Sequence, residues 1–269
     1  MKTRIITGLI FAATMFGGIY GGKYTYGILF GIVTILCLWE FLSAGLESNL
    51  FRKLLGVVLG AIPFIISYEY LVLYQDTRLI HVALALFFPI LFLLFIYELY
   101  QKSEKPFTNL GYICLGIFYI GIPFALLNFI AFKGGIYKSN IVMGILLMTW
   151  ANDTFAYFAG SWFGKTKLFE RISPKKTWEG TIGGVIGTIL TGVAFYYIFN
   201  ELRLVDWMVI GGLVAIFGGL SDLVESMLKR SLKIKDSGTL LPGHGGFLDR
   251  FDAFFFLLPF VAAYILLFT

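Results

Sequence analysis

The sequence has little charge and almost no cysteine. Asp, Glu, Lys and Arg make up only 14% of the 269 residues, whereas hydrophobic residues make up 58%. In a soluble domain of this length, about a quarter of the residues are charged. The low charged fraction of this sequence therefore indicates that much of its apolar surface faces lipid. The two cysteines, Cys37 and Cys114, both lie in apolar segments. This excludes a disulfide framework and a thiolate metal cluster.

Long apolar stretches recur along the whole chain and predict an all-α, polytopic integral membrane protein. A membrane-spanning helix needs roughly 20 mostly apolar residues. Nine stretches reach or approach this length, namely residues 5–20, 25–44, 54–74, 79–100, 109–131, 140–162, 180–199, 205–227 and 251–268. No signal-peptide cleavage site stands out after the first stretch, so we expect it to remain as an uncleaved span.

The positive charges predict the orientation of these spans, because Lys and Arg concentrate in cytoplasmic loops. With the N-terminus in the cytoplasm and nine alternating spans, 16 of the 21 Lys and Arg fall on the cytoplasmic side. This predicts an N-in, C-out topology, with five spans in residues 1–139 and four in residues 140–269, all in a single membrane domain. Two basic loops, 163–179 and 228–250, then face the cytoplasm, where they orient the protein and attract anionic headgroups.

Acidic residues collect around the second of these loops, next to an apolar run. Asp222, Glu225 and Lys229 share one face of a helix, at positions i, i+3 and i+7. Asp249 and Asp252 repeat the i, i+3 spacing at the start of the last span. Carboxylates bind Mg²⁺ through their oxygens, and the metal in turn bridges phosphate oxygens. An ionisable residue costs about 2.5–3.5 kcal/mol at the bilayer centre. So many ionisable residues near apolar spans therefore favour a functional site over a structural role.

Basic residues and a glycine-rich segment accompany these carboxylates. Such bases neutralise phosphate charge, and arginine does so in bidentate fashion. The bases are Lys229, Arg230, Lys235 and Arg250. The segment "PGHGG" permits the close backbone approach that phosphate-cradling loops require. A polyphosphate site with its metal is therefore indicated. The alternative is a structural network that pairs Asp222 with Lys229 and Asp249 with Arg250.

Eleven positions in this region follow one pattern, S-x-x-K-R-x4-K-D-x7-H-G-G-x-x-D-R-x-D. They are Ser226, Lys229, Arg230, Lys235, Asp236, His244, Gly245, Gly246, Asp249, Arg250 and Asp252. The pattern resembles the signature of the phosphatidate cytidylyltransferases, the CDP-diacylglycerol synthases. Residues 150–160 and 173–184 resemble the family's other two polar motifs, so the resemblance covers roughly the C-terminal 120 residues.

The resemblance implies that CTP and phosphatidic acid react to give CDP-diacylglycerol and pyrophosphate, in phospholipid biosynthesis. It implies a Mg²⁺-dependent, in-line displacement at the α-phosphorus of CTP, with a second cation possible. It also implies a homodimer that binds membrane lipids and no nucleic acid. The short chain indicates a bacterial inner membrane protein, and the loop charges place its active site on the cytoplasmic face.

Roles for individual residues follow from the resemblance. Asp222 and Asp249 are the expected metal ligands, supported by Glu225 and Asp252. The catalytic set adds the bases expected to hold the triphosphate and stabilise charge at the α-phosphorus, Lys229, Arg230 and Arg250. The expected substrate-binding residues are Asn152, Asp153, Ser173, Lys175, Lys176, Thr177, Glu179, Ser226, Lys235, Asp236, His244, Gly245 and Gly246. Within this set Glu179 caps the loop or orients its lysines, and Asp153 lines the site or pairs with a lysine.

Two other functions remain open at this point. A cytidylyltransferase for another lipid phosphate would share the same headgroup chemistry and the same polar residues. An ion-coupled transporter would instead place its charges along a path through the bilayer. Two further acids, Glu40 and Glu98, lie near cytoplasmic ends of spans outside the motifs, where we expect their carboxylates to reach water.

Overall fold

The computed structural model describes residues 2–47, 49–74, 77–234, 237–238 and 245–269. Ten α-helices account for most of this part of the chain. They are α1 Lys2–Tyr20, α2 Lys23–Gly45, α3 Leu50–Glu69, α4 Thr77–Tyr100, α5 Pro106–Gly116, α6 Ile122–Ala131, α7 Ser139–Phe163, α8 Trp178–Ile198, α9 Leu204–Ser231 and α10 Leu248–Phe268. The described strands, β1 Lys167–Phe169 and β2 Ser173–Thr177, form one antiparallel hairpin between α7 and α8.

Eight helical stretches among the described residues are long and apolar enough to cross a membrane. They correspond to eight of the nine predicted spans. Helices α5 and α6 make one of them, Pro106–Ala131, because a π-helical turn at Ile117–Gly121 joins them. The first predicted span lies in α1, whose apolar part, Ile5–Tyr20, is shorter. The all-α, polytopic membrane architecture is therefore confirmed.

The chain divides into two compact units. The first comprises Met1–Gly135 and Ser237–Leu248, and the second comprises Ile136–Asp236 and Asp249–Thr269. The predicted single membrane domain, with regions 1–139 and 140–269, stays a prediction.

A buried ion pair joins α3 to α4 in the first unit. Arg52 Nη2 donates to Glu98 Oε2 at 3.1 Å, and Arg52 Nε donates to the second carboxylate oxygen. The two side chains are only 3% and 4% exposed, so the expectation that Glu98 reaches water is wrong. The physical reason is that Arg52 provides within the protein the charge compensation that water would otherwise supply.

Small residues allow the helices of the second unit to pack closely, with α8 against both α7 and α9. A Cβ at Gly184 of α8 would lie 2.7 Å from Asn152 Oδ1 of α7. A Cβ at Gly192 would lie 2.6 Å from the carbonyl oxygen of Trp207 in α9. Close backbone approach of this kind is how membrane helices associate without a hydrophobic driving force.

A polar clamp fixes the antiparallel arrangement of α9 and α10. Asp206, in the first turn of α9, accepts hydrogen bonds from Arg203 Nη2 at 2.8 Å and from Tyr264 Oη at 2.9 Å. The Arg203 guanidinium also donates to the carbonyl oxygen of Phe268 at 3.0 Å. Because the start of α9 is tied to the end of α10, the carboxylates at the end of α9 lie beside those at the start of α10.

The buried ion pair predicts an asymmetric stability result. Arg52→Leu leaves the Glu98 carboxylate buried without its partner, and we expect a loss of about 3–5 kcal/mol in unfolding free energy. Arg52→Leu/Glu98→Leu removes both charges and should recover most of that loss. Thermal unfolding of the detergent-solubilised protein measures both. Equal destabilisation by the single and double variants would contradict the pairing.

Candidate active site

The basic loop 163–179 forms a β hairpin, which the sequence did not predict. Its strands pair Lys167 with Thr177 and Phe169 with Ser173. Glu179, in the first turn of α8, closes the base of the hairpin, because its carboxylate accepts the backbone N–H groups of Lys165 and Thr166, each at 3.1 Å. Of the two roles predicted for Glu179, these contacts match the cap.

Thr177 links the hairpin to α8 as the N-cap of that helix. Its Oγ1 accepts the N–H of Gly180 at 3.2 Å, which satisfies one of the free amides of the first turn. The Thr177 side chain is buried, whereas that of Lys175, two residues earlier in β2, is exposed. The local fold thus places residues of one motif both in the protein interior and at its surface.

Lys176 connects the hairpin to α9. Its ammonium forms an ion pair with the Asp222 carboxylate and donates to the carbonyl oxygen of Gly219 at 3.0 Å. The sequence nominated Lys176 and Asp222 separately, in two motifs, and did not predict this pair. Gly219 was missed, because a backbone acceptor leaves no signal in the residue type.

A pocket of about 430 Å³ opens where α7, the hairpin, α8 and α9 meet. Its polar lining comprises Asn152, Asp153, Ser161, Lys175, Lys176, Thr177, Thr181 and Asp222. Asp153 is exposed in it and lies within electrostatic range of Lys176 and Asp222. Asn152 is 5% exposed and packs at the α7–α8 contact. The pocket therefore unites the motifs at residues 150–160 and 173–184 with Asp222 of α9, in the second unit.

Three lining residues with a hydroxyl group, Tyr157, Ser161 and Thr181, were missed in the sequence. Tyr157 and Ser161 lie one and two helical turns beyond Asp153, at i+4 and i+8, on the same face of α7. Following the helical period from Asp153 would have found both.

A buried cluster links α9 to α10 through one ammonium group. Lys229 Nζ donates to Glu225 Oε2 at 2.6 Å and to Asp249 Oδ1 at 3.0 Å. The three side chains are only 7–17% exposed. Asp252, also buried, lies within electrostatic range of Asp222, Glu225 and Lys229. The predicted i, i+3, i+7 face of α9 is present, but the alternative pairing of Asp222 with Lys229 is not the observed one.

The carboxylates fit a divalent cation that binds together with a phosphate. Among the residues that the structure describes, no group of three or more His, Cys, Asp or Glu is placed to hold a metal. Mg²⁺, however, commonly takes one or two carboxylates and completes its shell with water and phosphate oxygens. Glu225 Oε1 is buried and has no hydrogen-bond partner among the described residues, so one oxygen donor remains available.

The other predicted site residues occupy several environments. Arg230 and Arg250 are exposed, and Ser173 and Ser226 are partly buried. Gly245 has a φ of 84°, a conformation that favours glycine, and Gly246 is buried. Three predicted residues, Lys235, Asp236 and His244, lie outside the described residues.

Comparison with known proteins gives one family for the whole chain. A model of the cytidylyltransferase family matches residues 2–268. The chain belongs to the cytidylyltransferase family. The resemblance read from the signature is confirmed, and the match extends through the N-terminal spans.

Similar members of the cytidylyltransferase family are bacterial proteins named phosphatidate cytidylyltransferase. The protein from Bacillus subtilis (strain 168) is 34% identical over 272 residues, covering 100% of this chain and 99% of its own length. Those from Staphylococcus aureus (strain COL) and Staphylococcus saprophyticus are 38% and 39% identical over 170 residues, covering 62% of this chain and 64% of each relative.

Proposed function

We propose that this cytidylyltransferase-family protein transfers a cytidylyl group from CTP to phosphatidic acid, giving CDP-diacylglycerol and pyrophosphate. The observation that supports it most is the pair of buried or half-buried lysines, Lys176 and Lys229, each held by one or two carboxylates of apolar helices. Cations fixed at such a place suit a reaction between a soluble nucleotide and a membrane lipid. The name of the full-length Bacillus subtilis relative supports the same substrates.

The chemistry requires neither a covalent enzyme intermediate nor a general base. A phosphate monoester has a second pKa of about 6, so the lipid phosphate is largely dianionic near neutral pH. One of its oxygens attacks the α-phosphorus of CTP and forms the new P–O bond. The bond from the α-phosphorus to the bridging oxygen breaks, and pyrophosphate leaves with the electron pair. Two anions must meet, so positioning and charge neutralisation supply most of the catalysis.

The two lysines have the donors for this task. An ammonium group has three N–H donors. Lys176 uses two on Asp222 and the Gly219 carbonyl, and Lys229 uses two on Glu225 and Asp249. Each lysine then offers its remaining donor to a phosphate oxygen, from a position that its carboxylate partner fixes. Arg230 and Arg250, both exposed, are the further candidates for the triphosphate.

Divalent metal dependence is part of the proposal. Glu225 and Asp249, which contact the same ammonium group, would hold Mg²⁺ together with water and phosphate oxygens, and Asp222 and Asp252 would be supporting carboxylates. The ion would neutralise charge on the phosphates and polarise their oxygens. The oxygen-only donor set and the available Glu225 Oε1 support this assignment. A second cation stays a prediction.

The protein is an integral membrane protein by its apolar helices. We place it in the bacterial inner membrane with its active site on the cytoplasmic face, which the loop charges and the bacterial relatives support. The homodimer that the resemblance implies also stays a prediction.

The reaction is tested by pyrophosphate release from purified protein given CTP, phosphatidic acid and Mg²⁺. We expect pyrophosphate only with both substrates, and CDP-diacylglycerol as co-product. Asp249→Asn and Lys176→Gln should each lower kcat/KM by about 10²–10³-fold, because each removes a charge from the site. Lys138→Gln, before α7 and outside the pocket lining, is the matched control and should stay within about twofold of wild type.

Each other outcome has a distinct meaning for the proposal. Folded wild type that is silent with phosphatidic acid but active with another lipid phosphate would retain the chemistry and reject the substrate. Silence with every lipid phosphate would reject the reaction. Full activity of Asp249→Asn would remove that residue from the site.

The metal assignment predicts a shift in magnesium dependence. Chelation should abolish activity, and added Mg²⁺ should restore it. Glu225→Gln weakens the oxygen donor set, so the Mg²⁺ concentration for half-maximal rate should rise about tenfold or more. The control is Glu179→Gln, because the Glu179 carboxylate binds backbone N–H groups. This variant should leave the Mg²⁺ concentration for half-maximal rate unchanged. A rate independent of divalent cation would contradict the assignment.

A further inference from the structure

Glu40, far from the signature in sequence, contacts the segment that precedes Asp249. The residue lies on α2 and is 3% exposed, so the expectation that its carboxylate reaches water is wrong. Its Oε2 accepts the backbone N–H of Leu248 at 2.9 Å, and the Ser237 hydroxyl lies at 3.5 Å. All three residues belong to the first unit. The contact with backbone N–H is the physical reason that this acid is buried.

Two glycines of the same segment pack directly on the Glu40 carboxylate. A Cβ at Gly238 would collide with Glu40 Oε1, and a Cβ at Gly246 would collide with Oε2. No larger side chain fits at either position unless the carboxylate moves. Gly246 is a signature residue, so Glu40 supplies a reason, independent of substrate, for glycine there.

The hydrogen bond to Leu248 falls at the first residue of α10. The first amides of a helix have no acceptor within the helix, and an anion beside them is favourable. Glu40 therefore supplies an acceptor for the first amide of this helix. Asp249 and Arg250 are the next two residues, so a shift in the first turn of α10 would move both.

We propose that Glu40 is a positioning residue of the active site. Its carboxylate holds Ser237 and Leu248, the first residue of α10, and through Leu248 sets the placement of Asp249 and Arg250. The inference rests on the proposed function, because the consequence of that placement is the rate of cytidylyl transfer. Glu40 itself touches neither the substrates nor the reacting atoms in this account.

Glu40→Leu and Glu40→Gln separate positioning from stability. Leu removes the acceptor, whereas Gln keeps a carbonyl of the same reach for the Leu248 N–H. We expect Glu40→Leu to lower kcat by about 10–100-fold, since a misplacement of about 1 Å costs that much. The KM for CTP should change less than threefold, and Glu40→Gln should recover kcat to within about fivefold of wild type. Both variants are assayed below the onset of thermal unfolding.

Arg52→Leu/Glu98→Leu is the matched control, because it also removes a buried carboxylate from the first unit. It should leave kcat within about twofold of wild type. Gly238→Ala provides an independent variant if Glu40→Leu fails to fold. Its Cβ displaces the Glu40 carboxylate, so kcat should fall, and the same substitution should have a smaller effect in a Glu40→Ala background.

The outcomes distinguish this inference from the proposed function. Folded Glu40→Leu and Gly238→Ala with wild-type kcat would overturn the positioning role while the reaction stands. An equal fall of kcat in the Arg52→Leu/Glu98→Leu control would also overturn it, by showing a general effect of destabilisation. Wild type without activity would reject the proposed function, and the inference with it.

Discussion

The candidate site depends on the ion pairs that the Lys229 ammonium group forms with the carboxylates of Glu225 and Asp249. These two carboxylates repel each other in a poorly hydrated place, and burying either one without a counter-charge would cost free energy. Lys229 supplies one counter-charge that both carboxylates share, and it joins the end of α9 to the start of α10. The clamp at Asp206 sets the antiparallel alignment of these helices at their other ends, so the two contacts together fix the register of the charged residues.

The reaction accounts for why such charges lie against apolar helices. Phosphatidic acid stays in the membrane, whereas CTP is soluble, so the reacting phosphates meet where the helices end. In the proposed reaction, Lys176 and Lys229 each use part of their donor capacity on carboxylates and offer the rest to an anionic ligand. A transporter would distribute its acids and bases along a path across the bilayer. In the described part of the second unit three ion pairs gather instead at one pocket and at the junction of α9 with α10, and the Arg203–Asp206 pair lies at the opposite ends of these helices.

Much of this architecture was predictable, and the exceptions have physical reasons. Apolar length alone predicted the spans, and helical spacing placed Asp222, Glu225 and Lys229 on one face. The pairing of Lys176 with Asp222 was not predictable, because it joins residues 46 positions apart through tertiary packing. Strands β1 and β2 are too short for an alternating pattern to be read. Glu40 was misread, because a lone acid in an apolar helix does not reveal the backbone N–H that it binds.

The most direct test asks whether Lys229 serves only its carboxylate neighbours or also the substrates. Lys229→Met should be unstable and inactive, and adding Glu225→Gln should restore part of the stability, because it removes one of the two carboxylates left without a counter-charge. The measurement is the rate at which this folded double variant forms CDP-diacylglycerol at saturating Mg²⁺, compared with Glu225→Gln alone. The account predicts a rate at least about 100-fold below that of Glu225→Gln, because the cation for the phosphates is gone. A rate close to that of Glu225→Gln would show that Lys229 serves only its carboxylate neighbours and would contradict the account.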